Sequence, residues 1–190
     1  VNGVLHRHRG KRFTATEKLD GTSLTAYLRD GEFGVCSRNL DLEESPENTL
    51  WSTVRHLGVE EKLRASGRGN IALQGELTGP GIQKNRYGLK EHSVFFFSGF
   101  NIDRFAYLNQ QDLSELIAEL GLRSVPQLGD FTLDHSVEDL VRMAEAPSVL
   151  NPNQTREGIV VRSLEEETDI DLGRLSFKVI SPKFLLKGGE

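Results

Sequence analysis

Cysteine is nearly missing from this chain: Cys36 stands alone among 190 residues. One thiol makes no internal disulfide and no cysteine-rich metal cluster, and a reducing, cytoplasmic compartment is expected. No apolar run reaches the ~20 residues needed to span a bilayer, so no membrane partner is expected. Internal repeats and low-complexity linkers are absent too. Positive charge is not in excess, because 23 Lys and Arg face 28 Asp and Glu, for a net charge of −5. Such a balance does not suggest nucleic acid, so any basic surface must be local. Two charge runs stand out. His6-Arg7-His8-Arg9-Gly10-Lys11-Arg12 reads as a solvated face or as a phosphate-backbone contact. Glu165-Glu166-Glu167-Thr168-Asp169-Ile170-Asp171 reads as a solvated acidic loop without metal-ligand spacing.

What is present is an ordinary globular composition, 37% hydrophobic and 27% charged. The length suits one domain with one sizeable core. Strand-like runs dominate, at 13–17, 22–29, 32–37, 70–78, 93–102, 158–163 and 174–180. Asp30-Gly31 marks a hairpin turn. Ser45-Pro46-Glu47 reads as an N-cap with Pro at the first helical position, opening a helix to about 57. Leu113, Leu116, Ile117 and Leu120 recur at helical spacing and stop at Gly121. Ser136 and Asp139 form a capping-box pattern, and Ser181-Pro182 opens a last short helix. The pattern predicts an α+β domain, an antiparallel β framework with packed helices.

The segment richest in chemistry is Glu17-Lys18-Leu19-Asp20-Gly21-Thr22-Ser23. It places one lysine on a tight loop between two predicted strands, where an amine can serve as a nucleophile. Alone, Asp20-Gly21 is also a plain turn signal. Further segments add to it. Arg38 follows the third strand, where a guanidinium suits phosphate or ribose. Glu76 breaks an apolar strand, so it has a buried partner or faces a ligand. Gly79-Pro80-Gly81-Ile82-Gln83-Lys84-Asn85-Arg86-Tyr87-Gly88 is a Gly/Pro connector crowded with donors. In Val94-Phe95-Phe96-Phe97-Ser98-Gly99, alternation puts Phe95 and Phe97 on one face. Gly99 leaves an open spot through which a ring could stack on a base. Glu157 starts another strand, and Lys178 lies inside an apolar one, which points it toward a polar cleft.

In this order the segments resemble the covalent nucleotidyltransferase superfamily of ligases and capping enzymes. Within it they are most similar to the RNA ligase 2-like branch. Lys18 matches the nucleotide-accepting lysine, and Arg38, Glu76, Phe97, Glu157 and Lys178 fall on the successive motifs. The resemblance covers residues 13 to 184. It implies an ATP-grasp-like nucleotidyltransferase fold over 1–190, with the flanking ligase domain expected to be absent.

The resemblance also implies a mechanism. Lys18 attacks the α-phosphate of ATP, AMP passes to an RNA 5′-phosphate, and a 3′-hydroxyl seals the ends. Glu157 and Lys178 are catalytic partners, and Glu76 and Glu157 hold Mg²⁺ or Mn²⁺. Phe97 stacks on adenine, Glu17 helps frame it through its backbone, and Arg38 holds ribose or the terminal nucleotide. Asp20 and Gly21 support the loop, while Arg38, Lys84 and Arg86 are candidate RNA contacts. The expected partner is a pair of RNA ends or a nicked duplex, bound by a monomer. Two departures stand out: Ile180 occupies a position where relatives often carry a second lysine, with Lys183 a substitute, and Ser23 stands where several relatives have Asn. The competing readings are a DNA ligase or GTP-dependent capping-type enzyme, and a non-catalytic RNA-end-binding module.

Overall fold

The structure is a computed structural model and describes residues 2–187. In chain order its elements are α1 (Asn2–Arg7), β1 (Arg12–Lys18), β2 (Thr22–Arg29), β3 (Glu32–Cys36), β4 (Asp41–Leu42), α2 (Thr49–Leu57), α3 (Val59–Ser66), β5 (Ile71–Thr78), β6 (Ser93–Asn101), β7 (Ala106–Tyr107), α4 (Gln110–Glu119), β8 (Arg123–Ser124), β9 (Gln127–Thr132), α5 (Val137–Ala144), β10 (Gly158–Ser163), β11 (Thr168–Asp169), β12 (Gly173–Arg174), β13 (Ser176–Ile180) and α6 (Pro182–Lys187). The expected α+β architecture is present, with antiparallel sheets and packed helices. The chain forms two compact units, Val1–Leu19 with Pro126–Glu190, and Asp20–Val125.

The first unit is built on a four-stranded sheet in the order β13-β10-β1-β9. Phe13, Ile159, Val161 and Leu175 fill its core together with Val4 and Leu5 of α1 and Leu140 of α5. Helix α5 begins as the sequence predicts. Ser136 Oγ accepts from the Asp139 amide at 3.1 Å, and the Asp139 carboxylate accepts from the Ser136 amide at 2.9 Å.

The two charge runs depart from their solvated reading. Asp169 is 6% exposed and accepts from Arg7 Nε at 3.1 Å and Arg7 Nη2 at 3.0 Å. His8 Nε2 lies 2.6 Å from Asp169 Oδ2, while Lys11 Nζ donates to His8 Nδ1 at 3.0 Å and pairs with Glu167. The basic run and the acidic run therefore neutralise each other. Arg7 first, then His8, hold the Asp169 carboxyl well below the usual carboxylate range.

The second unit carries the larger sheet, β4-β3-β2-β5-β6-β7, with β8 added in parallel on β6. Leu24, Ala26, Leu73, Leu77, Val94 and Phe96 face Trp51, Val54, Leu63, Leu113, Leu116 and Ile117 of the helices. Helix α2 starts later than predicted. Asn48 is its N-cap, accepting from the Trp51 amide at 3.0 Å. Ser45 instead closes a separate turn onto the Asn48 amide at 3.1 Å. Gly99 is not an open spot either: a side chain there would begin 2.9 Å from Leu108 Cδ1 and 3.1 Å from Leu113 Cδ1, both part of or packed on the core.

Candidate active site

Lys18 is the last residue of β1 rather than part of the loop after it. Antiparallel register sets it opposite Gly158, which pairs in turn with Ile180. The next row on the same face is Thr16, Val160 and Lys178. Period-2 alternation thus puts both lysines on one side of the first unit's sheet. Gly158 is required where it stands, because a Cβ would lie 2.1 Å from Val179 O. That close approach brings β13 against the strand that Glu157 precedes, and the Ser181 amide donates to Glu157 O at 2.8 Å. Lys18 Nζ donates to Glu157 Oε1 at 3.1 Å, with side chains 26% and 15% exposed. Lys178 is exposed on β13 rather than drawn into the interior. Lys183 is exposed on α6.

Glu17 lies on the opposite face from Lys18. It is 1% exposed, and its carboxylate accepts from Ser148 Oγ and from the Val149 amide, both at 2.7 Å. A buried carboxylate satisfied in this way is a brace for the strand that ends in Lys18. Its side chain is occupied there, so only its backbone remains for framing a base.

In the second unit, Asp20 and Gly21 form the turn after Lys18. A Cβ on Gly21 would lie 2.2 Å from Leu77 O, so only glycine lets the turn sit this close to β5. The donor-rich 79–88 loop folds back onto this turn. The Asp20 amide donates to the Tyr87 hydroxyl at 2.6 Å, and Gln83 Nε2 donates to Gly21 O at 3.3 Å. The loop holds its own shape through Asn85, whose amide bonds Leu89 O at 3.0 Å and whose carbonyl accepts from the Leu89 amide at 3.2 Å. It is a built support, not a plain connector. Tyr87, 6% exposed, was not singled out by the sequence; an aromatic in a Gly/Pro loop was the only signal of a buried role.

Ser23, Glu76 and Phe95 share one cross-strand row of the larger sheet. Glu76 is half-buried. Gln74 Nε2 donates to Ser23 Oγ at 3.2 Å beside it. Register slips between Gln74 and Gly75, which leaves Phe97 as the extra residue of a β-bulge. Phe96 enters the core while Phe97 stays half-buried outside it, an arrangement by which bulges re-aim side chains. Arg38 is exposed in the bend after β3, Lys84 is exposed, and Arg86 is half-buried. Cys36 is no nucleophile: burial first, then the Asp41 carboxylate, push its thiol up to about 11. Among the described residues, no three His, Cys, Asp or Glu side chains gather as a metal cage.

Comparison with known proteins places the fold. The family model described as RNA ligase matches residues 11–180. A lysine-to-alanine variant of Naegleria gruberi RNA ligase, solved with ATP and Mn, superposes with a TM-score of 0.90 at 36% identity, over 97% of this chain and 53% of that one. The same organism's RNA ligase with PPi gives 0.89 at 37%, over 97% and 54%. A lysine-to-methionine variant with AMP and Mn gives 0.88 at 37%, over 96% and 53%. No curated protein matched the sequence. The chain thus spans about half the length of the solved ligases it matches. On a family match across most of its length and on this structural likeness, the chain belongs to the RNA ligase family.

Proposed function

We propose that the chain is the adenylation part of an ATP-dependent RNA ligase, its two units making up one nucleotidyltransferase domain. The observation that carries this reading is the pairing of Lys18 with Glu157 at 3.1 Å, partly shielded from water, in a chain of the RNA ligase family. Lys18 Nζ attacks the α-phosphorus of ATP. A P–N bond forms, the bond to the bridging oxygen breaks, and pyrophosphate leaves with the electron pair. A free lysine is mostly protonated at neutral pH, with an ordinary pKa of about 10.4, so one proton must depart. Glu157 Oε1 already accepts from Nζ and is placed to receive it. Lys178, on the same sheet face, adds positive charge for the α-phosphate.

The second unit would supply recognition. Phe97 offers a ring for adenine, and Arg38 a guanidinium for ribose or the terminal nucleotide. Mg²⁺ or Mn²⁺ fits the donors available. Hard cations take carboxylate oxygens and keep several waters, and Glu76 and Glu157 each offer a carboxylate of that kind. When bound, the cation supplies positive charge against the polyphosphate. Relatives solved with ATP and Mn support this choice.

In the next step a 5′-phosphate oxygen of RNA attacks the lysine-bound phosphorus, and the P–N bond breaks to restore the amine. A 3′-hydroxyl then attacks the activated 5′-phosphate and AMP leaves. Lys84 and Arg86 are the loop cations offered to the RNA.

The test is intact mass after incubation with ATP and Mg²⁺, beside a GTP control. A gain of one AMP, reversed by pyrophosphate, is expected. No adduct in a folded sample would favour the second reading, an RNA-end-binding module, for which Ile180 in place of a second lysine is the specific observation.

A further inference from the structure

The second unit holds a cavity of about 570 Å³ that none of the chemistry above uses. It lies where the last turn of α2, helix α3, the segment leading into β6 and the turn after α4 converge. Its charged lining is Lys62, Lys90 and Arg123 with His56 and His92, against Glu91 alone. This imbalance is local, since the whole chain is net −5.

The arginines on the outer faces of the same unit are treated differently. Arg55 pairs with Glu44 and Glu60, Arg64 with Glu60, and Arg68 with Glu119. Among the described residues, no carboxylate pairs with Lys62, Lys90 or Arg123. Lys62 reaches over the end of α4, its Nζ 3.6 Å from where a Gly121 side chain would begin. Arg123 sits over the Phe95 ring at 5.9 Å. Phe95 is also the partner of Glu76 in the cross-strand row. The cationic cavity therefore adjoins the strand that carries Phe97, without sharing a residue with the groups assigned to nucleotide chemistry.

We propose that this cavity binds the sugar-phosphate backbone of RNA, holding the strand away from the end being joined. Its volume falls within the ~300–1,000 Å³ of ligand sites. Three permanent cations without carboxylate partners match a run of phosphates, which positions a strand without reading its bases. The proposal rests on the RNA ligase reading, and its test separates the two.

The test titrates a 5′-phosphorylated single-stranded RNA by fluorescence anisotropy across a salt series. It compares the unsubstituted chain with Lys62→Ala/Lys90→Ala and with Arg68→Ala, a control whose cation already has a partner. The double variant is expected to bind about tenfold more weakly at low salt. Its slope of log affinity against log salt should be shallower by about 1.4, from two lost phosphate contacts at ~0.7 each. Self-adenylylation with ATP, read by intact mass, is expected to be unchanged. Equal affinity and slope in a folded double variant would overturn the proposal, as would an equal loss in Arg68→Ala or no RNA binding by the unsubstituted chain. An unsubstituted chain that binds RNA but takes no AMP would strike the adenylation reading alone, and the titration would still judge the cavity.

Discussion

Glu17 and Glu76 are both carboxylates inside strands, and the two sheets treat them differently. Glu17 sits on the core face of the smaller sheet, 1% exposed, with Ser148 and Val149 donating to it. Glu76 sits half-buried in a row with Ser23 and Phe95, on the face away from Leu24, Leu73 and Leu77. One carboxylate is turned into the core and braces a strand; the other lies half-buried on the face of its sheet away from that sheet's core. Lys18, proposed above as the nucleophile, follows the first directly in sequence. Sequence adjacency to Lys18 therefore does not put a side chain on the same side of the sheet; alternation, burial and partners decide where it goes.

Several substitutions sharpen this contrast. Lys18→Ala should abolish AMP transfer while the thermal unfolding midpoint stays close to that of the unsubstituted chain, because Lys18 supports no core. Glu17→Ala should cost about 1–3 kcal/mol of stability, since it strands the buried Ser148 hydroxyl and the part-buried Val149 amide. Glu76→Ala should cost less stability than Glu17→Ala and lower the adenylylation rate. Denaturant titration and single-turnover adenylylation on the pair separate these effects; equal losses of stability would erase the distinction. Tyr87→Phe should cost about 1 kcal/mol, for the bond from the Asp20 amide, readable in the same titration.

The last prediction concerns an effect that acid removes. Asp169 has a folded pKa lowered by Arg7 and His8, below the ~3.9 of an unfolded aspartate. Its stabilisation is therefore complete above that value and fades as pH falls through it toward the folded value. Asp169→Asn should be less stable than the unsubstituted chain near neutrality, and the gap should narrow below about pH 4 in circular dichroism melts. A constant gap would contradict the assignment.

Seven of the eight strands of five or more residues were legible because alternation is a local signal, and so was the capping box at Ser136. The start of α2 was not, because Ser45-Pro46 and Asn48 both carry cap chemistry and only the fold selects Asn48. Helices α1 and α3 and strand β9 went unpredicted. For α1, Val4 and Leu5 are too few to show a period beside a basic run. The ion pairs of Arg7 and His8 with Asp169 join residues more than 160 apart in sequence, a separation that no local pattern reveals. Lys18, Glu157 and Lys178 stood out in the sequence as types in order, and the structure pairs the first two and sets the third on the same sheet face as Lys18. Three things needed the fold: the bulge that re-aims Phe97, the inward turn of Glu17, and the docking of Tyr87 on the Asp20 turn. Each depends on cross-strand register or on a loop's path, neither of which is written in spacing.

The most direct test is peptide mapping of the chain after reaction with ATP and Mg²⁺. The account predicts AMP on the peptide containing Lys18, with the modification on that side chain. AMP carried by Lys178 or any other residue, or a folded chain that takes none, would contradict it.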